Sequence, residues 1–422
     1  MTERTSVAII GAGITGLALG YHLRRLGISH VLLESTDRVG GVIRSGRVGE
    51  HLLEWGPQRT RLTAGVRDLI DGLGIAGQLI AAPSGLPLFV YTGGRLRRVP
   101  FSMLDYLRAD IVSIPSKLRT LLEPFTAGPR ADESVATFFT RKVGRELYEN
   151  LIGPLYGGLY ASDPADMVVG LSLSHVLAEF GIGRSLILAL MGRGGAIVAP
   201  PACSFHDGME VLPRALHTAN ADNVWLETPV TAIQREGQRW AVGSARGAVI
   251  ADRVVFTAPA PAVARLLSGV VPPAADAIGR LRYNPLAVVH LHADTDLSGL
   301  GFQVSLRERL ATRGVTFNDS LFGREGVYTA YLGGATAPGV VEWSDSEIAA
   351  VASREFKLVT GFPARALNVA RESMPAWDDT WAALLAVSLP PGLRLAANWQ
   401  SRPGIPGRLA QARSMADELA RG

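Results

Sequence analysis

Three glycines, Gly11, Gly13 and Gly16, follow directly on the apolar run Val7-Ala8-Ile9-Ile10. That spacing is suited to holding the pyrophosphate of a dinucleotide. Gly11 permits a tight strand-to-helix turn, Gly13 lets backbone N–H groups approach the anion, and Gly16 lets the helix pack closely on the strand. Ala12, Ile14 and Thr15 complete the loop, and the helical pattern that starts at Leu17 adds its positive N-terminal dipole. A second strand, over 30–33, ends in Glu34, at the distance where an acidic side chain takes the ribose hydroxyls. A carboxylate there would repel a 2′-phosphate, which argues against NADP. Such a motif standing alone is weak, the plain alternative being a glycine-rich loop at a helix start. Strand, spacing and acid together favour the dinucleotide.

Beyond Glu34 and Ser35 the chain reads Arg38-Val39-Gly40-Gly41-Val42-Ile43-Arg44. A glycine pair here is not needed for a nicotinamide cofactor. It admits a second backbone segment to the dinucleotide, although Gly-Gly is also an ordinary turn. Next comes Glu54-Trp55-Gly56-Pro57-Gln58-Arg59. The arrangement resembles the extended flavin fingerprint of the FAD-dependent amine oxidase superfamily, in which a similar Gly-Pro segment lies along the flavin. The resemblance implies non-covalent FAD, held by residues 11–16, Glu34, Ser35, Arg38, Gly40, Gly41, Val42, Gly56, Pro57, Gln58 and Arg59.

The chain has 422 residues, too many for a single core, so two or three domains are expected. Hydrophobic residues at 47% and charged residues at 19% exclude a disordered protein. A net charge of only +4, with no aromatic-plus-basic module, argues against nucleic acid and mildly favours anionic ligands or an acidic membrane surface. Cys203 is the only cysteine, which excludes an intrachain disulfide, a cysteine zinc site and a dithiol pair. It is expected to pack as a small hydrophobe, in a reducing, cytoplasmic setting. No His-Glu-x-x-His motif and no Ser-His-Asp set is present, so no metal and no catalytic acid or base is named. The uncharged stretch 72–94 could span a bilayer by length, but Pro83, Pro87 and several glycines divide it into a helix end and a hairpin. No signal-peptide pattern precedes the first strand.

Periodicity gives a β-α-β unit first, then a hairpin over 86–99 around Thr92-Gly93-Gly94, and a helical stretch from 103 to about 190. Strands return at 224–228 and 248–257, later at 287–292 and 327–332, and the chain closes with a strand at 394–397 and a helix at 405–419. The fold class expected is α/β. A discontinuous Rossmann-like FAD-binding domain (1–85, 201–270 and 371–422) accompanies a hairpin and helical insertion (86–200) and a mixed-sheet substrate domain (271–370).

The run Leu151-Ile152-Gly153-Pro154-Leu155-Tyr156-Gly157-Gly158-Leu159-Tyr160-Ala161-Ser162-Asp163-Pro164 resembles the protoporphyrinogen oxidase family, whose helix and glycine-tyrosine-alanine turn it repeats. Thr228-Pro229-Val230-Thr231-Ala232-Ile233 is similar to the family's strand whose valine backbone contacts adenine, which implies that role for Val230. Met374-Pro375-Ala376-Trp377 is similar to a segment near the flavin. Residues 395–406 resemble the final flavin loop, which implies Pro403, Gly404 and Ile405 as contacts and a helix N-terminus aimed at the flavin pyrimidine. Ala397 stands where a glycine is expected, Arg402 where a small residue is usual, and Ala412 where the helix carries a glycine.

The resemblance implies oxidation of protoporphyrinogen IX or coproporphyrinogen III to the porphyrin in heme biosynthesis, with dioxygen as acceptor. The cofactor carries the redox chemistry and the protein positions it. Substrate carboxylates need cations, and arginine forks bind them. Arg59, Arg61 and Arg402 are the candidates, each also readable as a solvated surface arginine. His290 and His292 share a strand face, as proton acceptors or as satisfied strand histidines. Arg95, Arg97, Arg98, Arg108, Lys117 and Arg119 flank Phe101, Met103, Leu104, Leu107, Ile111, Ile114 and Leu118. That mixture suits either peripheral contact with an anionic leaflet, as the family resemblance implies, or a cap packed on the protein. A homodimer is compatible with all of this. Two readings stay open beside the porphyrinogen: an amine or polyene as substrate, and a non-catalytic flavin- or tetrapyrrole-binding protein.

Overall fold

The structure is a computed structural model that describes residues 2–192, 199–400 and 404–421. At its centre the strand Thr2–Ile10 pairs in parallel with His30–Leu33 on one side and Gly247–Phe256 on the other. Residues 7–10 are buried on both faces, as the unbroken apolar run requires of a central parallel strand. Val224–Trp225 extends the sheet past His30–Leu33, and Leu393–Leu395 pairs in parallel with Gly247–Phe256. Val230–Glu236 and Arg239–Ser244 form an antiparallel meander with Gly247–Phe256. The seven strands come from three distant stretches of chain, so the dinucleotide domain is discontinuous. Helices Ile14–Arg25 and Ile405–Arg421 share one flank, where Leu17, Leu409, Ala412 and Ala416 are buried together.

A second seven-stranded sheet runs in the order Arg365–Pro375, Tyr283–His292, Val327–Gly333, Thr312–Phe317, Gly301–Val304, Leu88–Thr92, Arg95–Arg98. One face packs on the helix Asp345–Thr360 through Val289, Leu291, Ala330, Phe302, Ile348 and Phe356. That helix opens with a capping box between Ser344 and Glu347 and ends at a left-handed Gly361. By strand alternation the other face, carrying Val288, His290, Thr329 and Tyr331, looks toward the dinucleotide domain.

Three expected boundaries shift. The hairpin Leu88–Thr92/Arg95–Arg98 belongs to this sheet rather than to the helical insertion, because its edge pairs in parallel with Gly301–Val304. Its turn puts both Gly93 and Gly94 at positive φ, 61° and 75°. The strand Arg365–Pro375 crosses the expected division at 370. The strand expected over 224–228 stops at Trp225, since Glu227 takes a left-handed φ of 50° where the chain turns to follow residues 34–36.

The helical insertion, roughly 103–192, starts its helices Met103–Arg108, Ile114–Leu121 and Val135–Val143 with serine caps, Ser102, Ser113 and Ser134. Inside it Lys142 meets Glu123 at 2.6 Å, both side chains fully buried. Glu123 also accepts from Ser185 Oγ and from the backbone N–H groups of Leu186 and Ile187. Burial pushes its carboxyl up, but Lys142, Ser185 and the two N–H groups bring it, on balance, below the usual range. The pair ties the helix Leu186–Gly192 to the rest of the insertion.

Candidate functional site

The first glycine loop is built for close approach. Gly11 has φ 109°, and a Cβ on Gly16 would lie 2.1 Å from the Gly11 carbonyl oxygen and 2.8 Å from Thr257 Oγ1. Thr257 Oγ1 donates to the Ile10 and Gly11 carbonyls at 3.0 and 2.8 Å, fixing the turn from the neighbouring strand. Gly13 differs, for a Cβ there would meet nothing within 4 Å. That open cradle, at the mouth of the helix Ile14–Arg25, fits a pyrophosphate.

The other expected cofactor residues gather along the same edge. Gly40 N–H donates to the Ala12 carbonyl at 2.8 Å, docking the second glycine pair on the first loop. Arg38 braces that pair by donating to the Gly41 carbonyl at 2.7 Å, and Val42 is 61% exposed beyond it. Glu34 Oε2 accepts from Ala12 N–H at 2.8 Å, and Oε1 accepts from the Thr36 N–H and hydroxyl and from Ser35 Oγ. Thr228 N–H donates to the Glu34 carbonyl at 2.7 Å, so the strand that begins at Val230 starts beside the acid.

The Gly-Pro segment closes against this edge, since a Cβ on Gly56 would lie 1.9 Å from the Val42 carbonyl oxygen. Gln58 spends its whole amide on the protein. Its Nε2 donates to the Glu54 and Gly56 carbonyls, and its Oε1 accepts from Asn318 Nδ2 and Thr329 Oγ1, each at 2.9 Å. Its side chain is a strut from the Gly-Pro segment to the second sheet, and only its backbone is left to face a cofactor.

Arg59 is the opposite case. Its Nη1 is buried with no hydrogen-bond partner among the described residues. Burial lowers the guanidinium's pKa, an effect the nearby Tyr331 phenol opposes and Arg61 reinforces. Arg61 itself is exposed and donates to the Pro200 carbonyl at 3.1 Å. Arg402 and Pro403 lie outside the described residues. Gly404, at φ 101°, leads into the helix at the buried Ile405. In that helix Arg408 donates to the carbonyl of Ala397.

Tyr331 and Arg324 carried no signal in the sequence, whereas Trp377 and Tyr160 lie in segments marked there only by the family resemblance. Tyr331 faces inward because Tyr328, Ala330 and Leu332 pack outward, a period-two argument open to anyone who knew which face was covered. Trp377 adopts φ 53° and stacks on Trp381 at 5.4 Å, with Tyr160 at 6.3 Å, in a buried aromatic cluster. Arg324 reaches Glu54 at 2.7 Å in a buried pair that also engages Ser204 on the strand Ala202–Phe205. Burial pushes the Glu54 carboxyl up, while Arg324 and Ser45 pull it down.

His290 is a satisfied strand histidine. Its Nε2 donates to the Glu54 carbonyl at 2.8 Å, and burial lowers its pKa from 6.5 to about 4. The folded state thus takes up this proton later than the unfolded state as pH falls, so the stabilisation is full above 6.5 and lost on the way to about 4. The loss over that window is expected to be about 3 kcal/mol. Urea melts at pH 7 and pH 4.5 should show a shallower pH slope in His290→Gln; an unchanged slope would place the proton uptake elsewhere. Cys203 packs as a small hydrophobe, its thiol pushed up to about 11 by burial.

The profile of the flavin-containing amine oxidoreductases matches residues 14–409, and the chain belongs to that family. Its cofactor is FAD, for which the open cradle at Gly13, Glu34 and the two docked glycine loops provide a fitting site. Within the family the chain is similar to protoporphyrinogen oxidase 1, chloroplastic, of Spinacia oleracea, 27% identical over 395 residues that cover 83% of this chain and 70% of that protein. It is also similar to coproporphyrinogen III oxidase of Bacillus subtilis (strain 168), 26% identical over 393 residues that cover 84% and 82%. A crystal structure from Exiguobacterium sp. 255-15, provisionally described as a protoporphyrinogen oxidase, shares the fold with a TM-score of 0.81 at 23% identity, over 99% of both chains.

Proposed function

We propose that the protein oxidises a porphyrinogen, protoporphyrinogen IX or coproporphyrinogen III, to the porphyrin, with dioxygen as the terminal acceptor and FAD held without a covalent link. The observation that carries this is Arg59, a half-buried arginine beside the Gly-Pro turn whose Nη1 is buried and has no partner among the described residues. A cation with a donor buried in this way is costly unless an anion completes it. A substrate propionate is such an anion, and the names of the relatives supply the substrate class. Bound FAD supplies the two-electron acceptor. The chain's own residues grip its pyrophosphate at Gly11–Gly16, take its ribose at Glu34, and anchor the macrocycle through Arg59. Arg61, and Arg402 on the sequence resemblance alone, are assigned to a second substrate carboxylate.

Arg59→Met is expected to raise KM for the porphyrinogen roughly 10- to 100-fold, with a smaller change in kcat, as loss of a charged hydrogen bond to bound substrate predicts. Steady-state kinetics check this, and an unchanged KM removes Arg59 from the substrate site. The function itself is tested by adding porphyrinogen aerobically and following Soret absorbance and red fluorescence. A rate equal to the autoxidation blank defeats the proposal. Flavin bleaching by an amine, with none by porphyrinogens, would decide for the amine reading that the breadth of the family keeps open.

The helix Ile114–Leu121 supports contact with a membrane surface. It is inverted, burying Ser116 and Thr120 while Ile114 is 73% and Leu118 61% exposed, and Phe125 follows at 81%. No helix among the described residues is long and apolar enough to cross a membrane. A peripheral dock on an anionic leaflet, with Lys117 and Arg108 at its margin, is the reading this face supports best.

A further inference from the structure

We propose that Glu372 accepts a pyrrole N–H proton of the substrate as the adjoining meso C–H bond is oxidised, an inference that rests on the porphyrinogen reading above. Glu372 sits opposite Leu286 in the pairing of Arg365–Pro375 with Tyr283–His292. Val288 with Ala370 and His290 with Asn368 continue the same face, and His290 reaches Glu54 in the dinucleotide domain. The adjacent Arg371 turns the other way and pairs with Asp345 at 2.6 Å. Alternation therefore aims Glu372 at the space between the sheet and the dinucleotide loops.

The carboxylate is half-buried, and among the described residues no hydrogen bond or ion pair engages it. The charged groups that face it, Arg38 and Arg44, both belong to the second glycine loop. Arg38 is occupied with the Val39 and Gly41 carbonyls, and Arg44 lies over the Trp55 ring at 4.9 Å. His290, on the same face, is neutral. Burial raises the Glu372 pKa, and the two arginines limit the rise. A partly desolvated acid without a protein partner, beside the cofactor's loops, has the environment of a working proton acceptor.

In that step the meso carbon would lose its hydrogen with the bonding electron pair, for which bound FAD would be the two-electron acceptor. The dipyrrole unit is left as a delocalised cation, and its N–H proton passes to the Glu372 carboxylate. A neutral conjugated unit and a carboxylic acid remain, and solvent takes the proton before the next round.

Purified holoenzyme carrying Glu372→Gln tests this, with Glu372→Asp beside it. Flavin content and thermal unfolding are expected to match the wild type, and apo-protein affinity for the porphyrin product is expected to stay within threefold, since the amide keeps an acceptor oxygen. The kcat is expected to fall about 100-fold or more. The acidic limb of kcat/KM against pH is expected to vanish in Glu372→Gln and return in Glu372→Asp. A Glu372→Gln enzyme with wild-type kcat and an intact limb overturns the proposal. So does a variant purified without flavin, which would make Glu372 a cofactor-holding group. A wild type inactive on porphyrinogen defeats the reading beneath it and this inference together, whereas an active wild type with an unimpaired variant defeats this inference alone.

Discussion

A Gly13→Ala variant is expected to fold as the wild type does and to emerge from purification without its yellow colour. Gly13 has φ −68° and ψ 174°, which alanine adopts without strain, and its Cβ would enter open space. That space is the proposed seat of the pyrophosphate, so the methyl group would take the ligand's place. Stability of the apo-protein is expected to change by about 0.5 kcal/mol or less. FAD affinity is expected to drop at least about 100-fold, near 2.7 kcal/mol. Gly16→Ala makes the contrast, because its Cβ would strike the Gly11 carbonyl oxygen. It is expected to lose flavin and about 1–3 kcal/mol of apo-protein stability together. The ratio of 450 to 280 nm absorbance and urea melts of the stripped proteins separate the two. A fully yellow Gly13→Ala protein would deny that the cofactor rests in this cradle.

Lys142→Met is expected to cost about 3–5 kcal/mol, the largest stability loss from a single side chain in the helical insertion. The methionine fits the volume of the lysine, but Glu123 is left buried without its ammonium. Removing both charges with Glu123→Leu is expected to recover only part of the loss. Ser185 Oγ and the N–H groups of Leu186 and Ile187 would then lack their acceptor. Guanidinium melts give the energies, and limited proteolysis reports whether the helix Leu186–Gly192 has come loose. A cost near zero for Lys142→Met would mean that water reaches the pair.

What could be read in the sequence was what local backbone geometry decides. Gly11, Gly13, Gly16 and Glu34 sit within one crossover, where turn, helix start and strand end are set by neighbours in the chain. Gly93-Gly94 specified its hairpin for the same reason. Features decided by distant partners were hidden. Nothing in Leu88–Thr92 names Gly301–Val304 as its parallel neighbour. Gln58 reads as a cofactor contact until Asn318, 260 residues away, takes its oxygen. Arg59 and Arg61 are equivalent on paper and differ because the chain carrying Pro200 returns beside Arg61. The strand Arg365–Pro375 escaped because neither face is deeply buried, which blurs the alternation and took Glu372 out of view. The helix Ile114–Leu121 shows amphipathicity plainly but not which side faces the protein.

The flank shared by the helices Ile14–Arg25 and Ile405–Arg421 has a consequence for biosynthesis. The first helix leaves the ribosome early, with Leu17 and its neighbours uncovered; part of its cover, around Leu212 and Leu216, follows about two hundred residues later, and the rest, the helix Ile405–Arg421, almost four hundred. Throughout that interval the emerging polypeptide presents an apolar stripe and an open sheet edge, the surfaces that recruit chaperones and seed aggregation. Flavin loading is therefore expected late in the protein's maturation, and a nonsense codon even close to position 405 is expected to yield a colourless chain open to proteolysis rather than a shortened enzyme.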